Sequence, residues 1–257
     1  MNIGINLYSK WPYEEVISAF IENGINRTFV CVEHPQFDDA VKALGKANIR
    51  IENFHAPFKN HNDIWVEGEE GDKKLKRLCD AVDKCTEYNV KLMVAHVSNG
   101  SPMPEITGVG LERFDSFMEY AREKGVMIAY ESHRFLENVK YFMERYREAG
   151  FCLDNCHEYA FTPGVRYMPL FGDRLVATHI SDNDCIGNND KHMLPFDGVI
   201  DFDKAACEIA ENGKDVTLML EIKPDNHEKY KDVSIKDYYA EAAKRLKRFE
   251  KMVESYK

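Results

Sequence analysis

MIAYES (127–132), LENVKYFMERYREAG (136–150) and FCLDN (151–155) decide the fold. A short apolar run, an amphipathic helix pattern and a second apolar run succeed one another at the spacing of a strand–helix–strand unit. Both runs end in a carboxylate, Glu131 and Asp154. Outward from this stretch the same unit recurs. NIGINL (2–7) leads to PYEEVISAFIENG, where Pro12 suits a first helical turn and Gly24 a helix end. RTFVCVE (27–33) leads to a helix within 35–48, and RIENFHAP (50–57) to a polar loop and a helix of about 69–89. KLMVAHVS (91–98) precedes a helix of about 108–125. After FCLDN comes an irregular stretch with one short helix near 165–172, then VATHISDN (176–183) and the helix DFDKAACEIAENG (201–213). VTLMLEIKP (216–224) and a terminal helix of about 234–255 close the chain.

Eight such units in 257 residues predict an α/β fold, a (β/α)₈ TIM barrel spanning 1–257 as one domain. The competitor is a doubly wound open sheet. It is disfavoured because the first strand–helix turn, YSKWPYEE, lacks G-x-G-x-x-G, which also removes support for a dinucleotide cofactor. On a barrel the chemistry sits at the C-terminal ends of the strands. Six residues of metal-ligating type fall there: His55, His96, Glu131, Asp154, His179 and Glu221. Such groups are costly on an apolar strand unless paired or bound to a metal. Residues two apart share a strand face, so Ala129 lies below Glu131, Ala177 below His179 and Met219 below Glu221. Small residues there leave room for a metal and a ligand in the barrel mouth.

Lys plus Arg number 34 and Asp plus Glu 44, a formal charge of −10. That balance argues against a nucleic-acid partner, whose phosphates need a basic face. No 18-residue apolar run and no signal-peptide pattern occur, so neither a membrane nor secretion is expected. Seven scattered cysteines do not form a disulfide framework. Cys152 and Cys156 read as buried thiols, and the cytoplasm is the expected location.

IAYES (128–132), LDNCHEY (153–159), GDRLVATHISDND (172–184), DKHMLPFDGVIDF (190–202) and LMLEIKP (218–224) resemble, in order, the motifs of the xylose isomerase-like barrel superfamily. That group includes sugar phosphate isomerases/epimerases, ketose 3-epimerases, inosose dehydratases and the endonuclease IV family. The resemblance covers the whole chain and implies a metal held by Glu131, Asp154, His179 and Glu221. This mostly oxygen site suits Mn²⁺, with Mg²⁺, Co²⁺ and Zn²⁺ as alternatives. His157 matches a histidine that contacts substrate or a second metal. His192 and Asp190 lie in a stretch resembling D-x-H-x-x-P-G-x-G-x-I-D, from which the chain departs by placing Phe196 at the first glycine, where it would cover the substrate.

The chemistry implied is isomerisation or epimerisation of a sugar or sugar phosphate by proton transfer through a metal-stabilised ene-diolate, with Glu131 and Glu221 as the proton-transferring pair. His55, His96, His157 and His192 are the expected substrate contacts and a small carbohydrate the expected partner. Homo-oligomerisation is left open. Two rivals share these residues. One is an endonuclease IV-like zinc phosphodiesterase, with His55, His96, His157, Asp190 and His192 extending the site to three metals; the other is an inosose dehydratase-like lyase. Glu33, His34, Trp11, Trp65 and Lys223 are further candidates for the mouth, each with an ordinary turn, core or ion-pair reading. His61, His133 and His227 match no motif and are expected to be solvated.

Overall fold

A computed structural model of the chain describes residues 1–187 and 189–257. Eight parallel strands alternate with helices. They are β1 (Asn2–Ile5), β2 (Arg27–Cys31), β3 (Arg50–His55), β4 (Leu92–Ala95), β5 (Met127–Glu131), β6 (Gly150–Asp154), β7 (Leu175–His179) and β8 (Thr217–Leu220). The helices that cover them are α1 (Tyr13–Asn23), α2 (Phe37–Lys46), α3 (Glu69–Glu87), α4 (Gly108–Glu123), α5 (Leu136–Arg145), α6 (Asn155–Phe161), α7 (Met168–Phe171), α8 (Phe202–Asn212) and α9 (Ile235–Ser255).

Strands β2 to β7 pair in sequence order, and β1 pairs with β8. Single backbone hydrogen bonds past the regular ladders join the two sets. Leu7 N–H donates to the Phe29 carbonyl (3.1 Å) between β1 and β2. Ile180 N–H donates to Met219 (2.8 Å) and Glu221 N–H to Ile180 (3.1 Å) between β7 and β8. The cylinder therefore closes as a (β/α)₈ barrel. Strands β3, β5, β6 and β7 end on His55, Glu131, Asp154 and His179, while His96 and Glu221 follow β4 and β8 by one residue.

The core has two layers. Between strands and helices lies an aromatic-rich shell with Phe54, Phe114, Phe117, Phe142, Phe151 and Phe249 fully buried. Inside the barrel, Val94, Ala129, Cys152 and Ala177 pack together. Each stands two residues before His96, Glu131, Asp154 or His179, so the alternating side-chain directions put a small apolar floor beneath the polar set. Cys152 and Cys156 are free, buried thiols, as expected. Among the described residues no helix is long and apolar enough to cross a membrane.

The stretch after β6 differs from expectation. It holds α6 as well as the short α7, because Asp154 Oδ1 accepts from the His157 N–H (2.8 Å) and caps the new helix.

Candidate functional site

Glu131 and Glu221 converge on one imidazole. His179 Nδ1 lies 2.8 Å from Glu131 Oε1 and 3.0 Å from Glu221 Oε2. The other Glu131 oxygen meets His96 Nε2 at 2.8 Å and His55 Nε2 at 3.2 Å. Asp154 spends Oδ1 on its helix cap and leaves Oδ2 without a hydrogen-bond partner; His157 Nδ1 is 3.6 Å away. Glu131, Asp154, His179 and Glu221 each offer a ligand atom, all within 4.8 Å of one another, and all four are buried. Three carboxylates and one imidazole form a hard, mostly oxygen donor set. With one orphaned carboxylate oxygen aimed into it, the set fits a divalent cation.

The electrostatics run in opposite directions within this group. Burial alone would push Glu131 up, but His179, His55 and His96 beside it hold it well below the usual carboxylate range. Burial likewise opposes ionised Glu221, and Lys223, His192 and His179 overcome it. Asp154 lacks comparable support. Burial raises it to about 7 against the pull of His157, and the charges of Glu131 and Glu221 add to the rise. Burial also disfavours a charge on His55, yet the Cys31 thiol and Glu131 bring it up to about 10. His96 is lowered by burial despite its contact with Glu131.

Above this set opens a cavity of about 240 Å³, bordered by His55, His96, His157, Asp190, Glu221 and Lys223, with Leu7, Phe29, Phe58 and Phe161 as apolar walls. That volume is the liquid share of about eight waters, the scale of a monosaccharide-sized ligand. Glu221 borders the cavity. Glu131, at 0 % exposure, lies beneath His55 and His96. His157 is oriented by the Ser132 carbonyl, which accepts from Nδ1 (2.9 Å), and turns Nε2 toward Asp190 Oδ2 (3.3 Å). Lys223 Nζ stands 3.2 Å from Glu221 Oε1.

Several expectations are corrected. His192 does not line the cavity. Its backbone is left-handed (φ 44°), Nδ1 faces the Glu221 carbonyl (3.0 Å), and Nε2 pairs with Asp190, which stands between it and the opening. Phe196 does not cover the substrate. It keeps the left-handed backbone a glycine would adopt (φ 71°) and packs outward, on Phe202 and beneath the Arg248 guanidinium (3.8 Å).

His133 and His61 are buried, not solvated. His133 borders the cavity with its ring 4.5 Å from that of His96 and 4.8 Å from that of His157. Its place two residues past Glu131 in an extended stretch was the available signal. His61 sits in a short helix under Phe114, away from the cavity; His227 is partly exposed. Trp65 is core, its indole N–H donating to the Val97 carbonyl (3.1 Å), and Trp11 packs edge-on against Tyr8, Tyr238 and Tyr239. Glu33 reaches the cavity rim, whereas His34 turns into the protein to accept from the Gln36 N–H.

A family model for the xylose isomerase-like TIM barrel matches residues 12–249. Among curated proteins, an uncharacterized protein of Sinorhizobium fredii, y4fM, is 33% identical over 151 residues, covering 55% of this chain and 47% of that protein. The match thus spans about half the length of that relative. Among solved structures, D-psicose 3-epimerase from Clostridium cellulolyticum H10, solved with D-tagatose, superposes with a TM-score of 0.78 at 12% identity, covering 98% of this chain and 99% of that one. The IolI protein, solved with a zinc atom, gives 0.75 at 18% identity over 100% and 99%. D-allulose 3-epimerase from Methylomonas sp., in complex with D-allulose, gives 0.73 at 14% identity over 96% and 97%. At these identities the likeness is one of fold.

Proposed function

The chain belongs to the xylose isomerase-like TIM barrel family, and from that premise we propose a cytoplasmic, divalent-metal-dependent isomerase or epimerase of a small carbohydrate. It acts by moving a proton at a carbon next to a carbonyl. One observation carries this reading. Two buried carboxylates from strands three apart, Glu131 and Glu221, share the His179 nitrogen at the foot of a cavity of sugar size.

Glu131, Asp154, His179 and Glu221 would hold the cation, Mn²⁺ by preference and Mg²⁺, Co²⁺ or Zn²⁺ otherwise. Its contribution when bound is electrostatic stabilisation of the negative charge that develops on the substrate oxygens. Glu221, which borders the cavity, takes the proton from one face of the substrate carbon, and Glu131 delivers a second proton, drawn from the His55 imidazolium beside it, to the other face; solvent then takes the proton from Glu221 and restores that of His55. For that, Glu131 must emerge between His55 and His96, the two rings now over it. His55, His96 and His157 face the cavity and bind substrate hydroxyls. His192 acts from behind, holding Asp190 and the Glu221 carbonyl in place.

A second reading has an observation of its own. His55–Glu131–His179 and Asp154–His157–His192 are further groups able to hold a cation, the pattern of a multi-metal phosphodiesterase. The small cavity, about 240 Å³, and the acidic total charge weigh against a DNA substrate.

The test incubates Mn²⁺-loaded protein in D₂O with ketoses, ketose phosphates and inososes, alongside abasic-site DNA. Deuterium should enter the inverted carbon, and Glu131→Gln and Glu221→Gln should each slow the exchange by about 10²- to 10⁴-fold. DNA cleavage with no deuterium uptake would transfer the reading to the phosphodiesterase. Loss of water from an inosose would transfer it to the lyase.

A further inference from the structure

Two long cationic side chains border the cavity, Lys223 and Arg134. Lys223 is spoken for by Glu221 and Asp190, at 3.2 and 3.8 Å. The cations on the rim nearby are likewise matched, Arg77 with Glu33 and Lys10 with Asp225. Arg134 differs. Among the described residues no carboxylate oxygen lies within 4.0 Å of its nitrogens, and it makes no hydrogen bond. Yet it is not a loose surface arm. It is half-buried in the loop between β5 and α5, with its guanidinium 3.6 Å from the centroid of the Phe161 ring. Phe161 is itself stacked on His157 (5.4 Å between centroids, 29° between planes), and the Ser132 carbonyl fixes His157.

Guanidinium, phenyl and imidazole thus form a layered pile on one wall of the cavity. The pile holds the arm in place, so little conformational freedom is left to lose on binding. The guanidinium is partly removed from water, and no described residue takes its N–H donors, an arrangement that favours an incoming anion. Its planar fork matches two oxygens of a carboxylate or phosphate.

We propose that Arg134 receives an anionic group of the substrate, so that the carbohydrate handled here is a sugar acid or a sugar phosphate. The proposal rests on the reading of the cavity as a carbohydrate site. It adds a specificity residue from the loop after β5, outside the metal set.

The experiment uses the Mn²⁺-loaded protein and its Arg134→Met and Arg134→Lys variants, with circular dichroism to establish that each folds. Inorganic phosphate and glycolate are titrated calorimetrically, and D₂O exchange is followed for a ketose, its terminal phosphate ester and the matching ketose with a terminal carboxylate. Arg134→Met should weaken binding of at least one of the two anions by about 10- to 100-fold, with Arg134→Lys intermediate. Whichever anion is affected identifies the source of the charge. In exchange, the corresponding ester or acid should exceed the neutral ketose in kcat/KM, and Arg134→Met should collapse that ratio. Anion binding unchanged in Arg134→Met would mean that the anions sit on the metal, and would overturn the proposal. So would a neutral ketose handled as well as both charged forms. If no sugar exchanges deuterium, the isomerase reading falls, and the two anion titrations still decide the role of Arg134.

Discussion

Asp154 divides its two oxygens between structure and chemistry. One caps α6 and the other has no partner, in a pocket where burial raises the carboxyl to about 7. His179 is the nitrogen on which the other two carboxylates converge. Replacing His179 by Ala should therefore weaken Mn²⁺ binding by 10-fold or more, read by calorimetry; unchanged affinity would place the ion elsewhere. A second residue, remote from this set, carries a pH signature. Lys74 is buried, its ammonium held by the carbonyls of Pro57 and Lys59, and burial lowers it from 10.5 to about 8. Between those values the unfolded chain keeps a proton that the folded chain has shed, so this group makes stability rise with pH from 8 to 10.5. Wild type should gain on Lys74→Met by up to about 3 kcal/mol across that window in denaturant titrations. A difference that stays flat would refute a buried, depressed lysine.

At the level of elements, the loop after β3, which includes Phe58 of the cavity wall, is tied to α4. Arg113 of α4 donates to the carbonyls of Ile64 (3.0 Å), Val66 (2.7 Å) and Gly68 (3.0 Å), which together hold the segment that carries Trp65. Thr107 caps α4 by accepting from the Gly110 N–H (3.1 Å) while donating to the Trp65 carbonyl (2.6 Å). Gly110 is required by close approach: a Cβ there would lie 2.2 Å from Trp65 Cε3. Gly110→Ala should cost about 1–3 kcal/mol in unfolding free energy, the usual penalty for overpacking. A neutral substitution would show that the indole has room to retreat. Much of this level was legible. Strand ends, helix spans and the polar residue at the ends of β3 to β8 follow from periodicity and turn residues. The α6 helix was not, because its signal is one cap whose carboxylate also reads as a ligand.

For the whole molecule, closure of eight strands brings the ends of β5 to β8 around one centre, with the small inner layer beneath. The barrel holds its own core of buried aromatic and aliphatic side chains, so removal of the metal should leave it folded. Mn²⁺ at about 100 times its dissociation constant should add about 2.7 kcal/mol, a rise of roughly 5 to 10 °C in Tm for a domain of this size. Chelation should reverse it in differential scanning calorimetry. No shift in Tm with Mn²⁺, or unfolding on chelation, would contradict a catalytic ion in a preformed site.

Periodicity alone was enough for the barrel and for the level at which its polar residues sit, because alternation along a strand and 3.6-residue repeats along a helix are local properties. Which of those residues face one another was decided by closure, which sets β5 against β8 across the cylinder and buries Glu131 under two histidines. Closure also turned His133 inward, set His192 behind Asp190 and left Arg134 beside the cavity with no ion pair among the described residues. A side chain's counter-charge and its access to water belong to neighbours far along the chain, and those exist only once the barrel has closed.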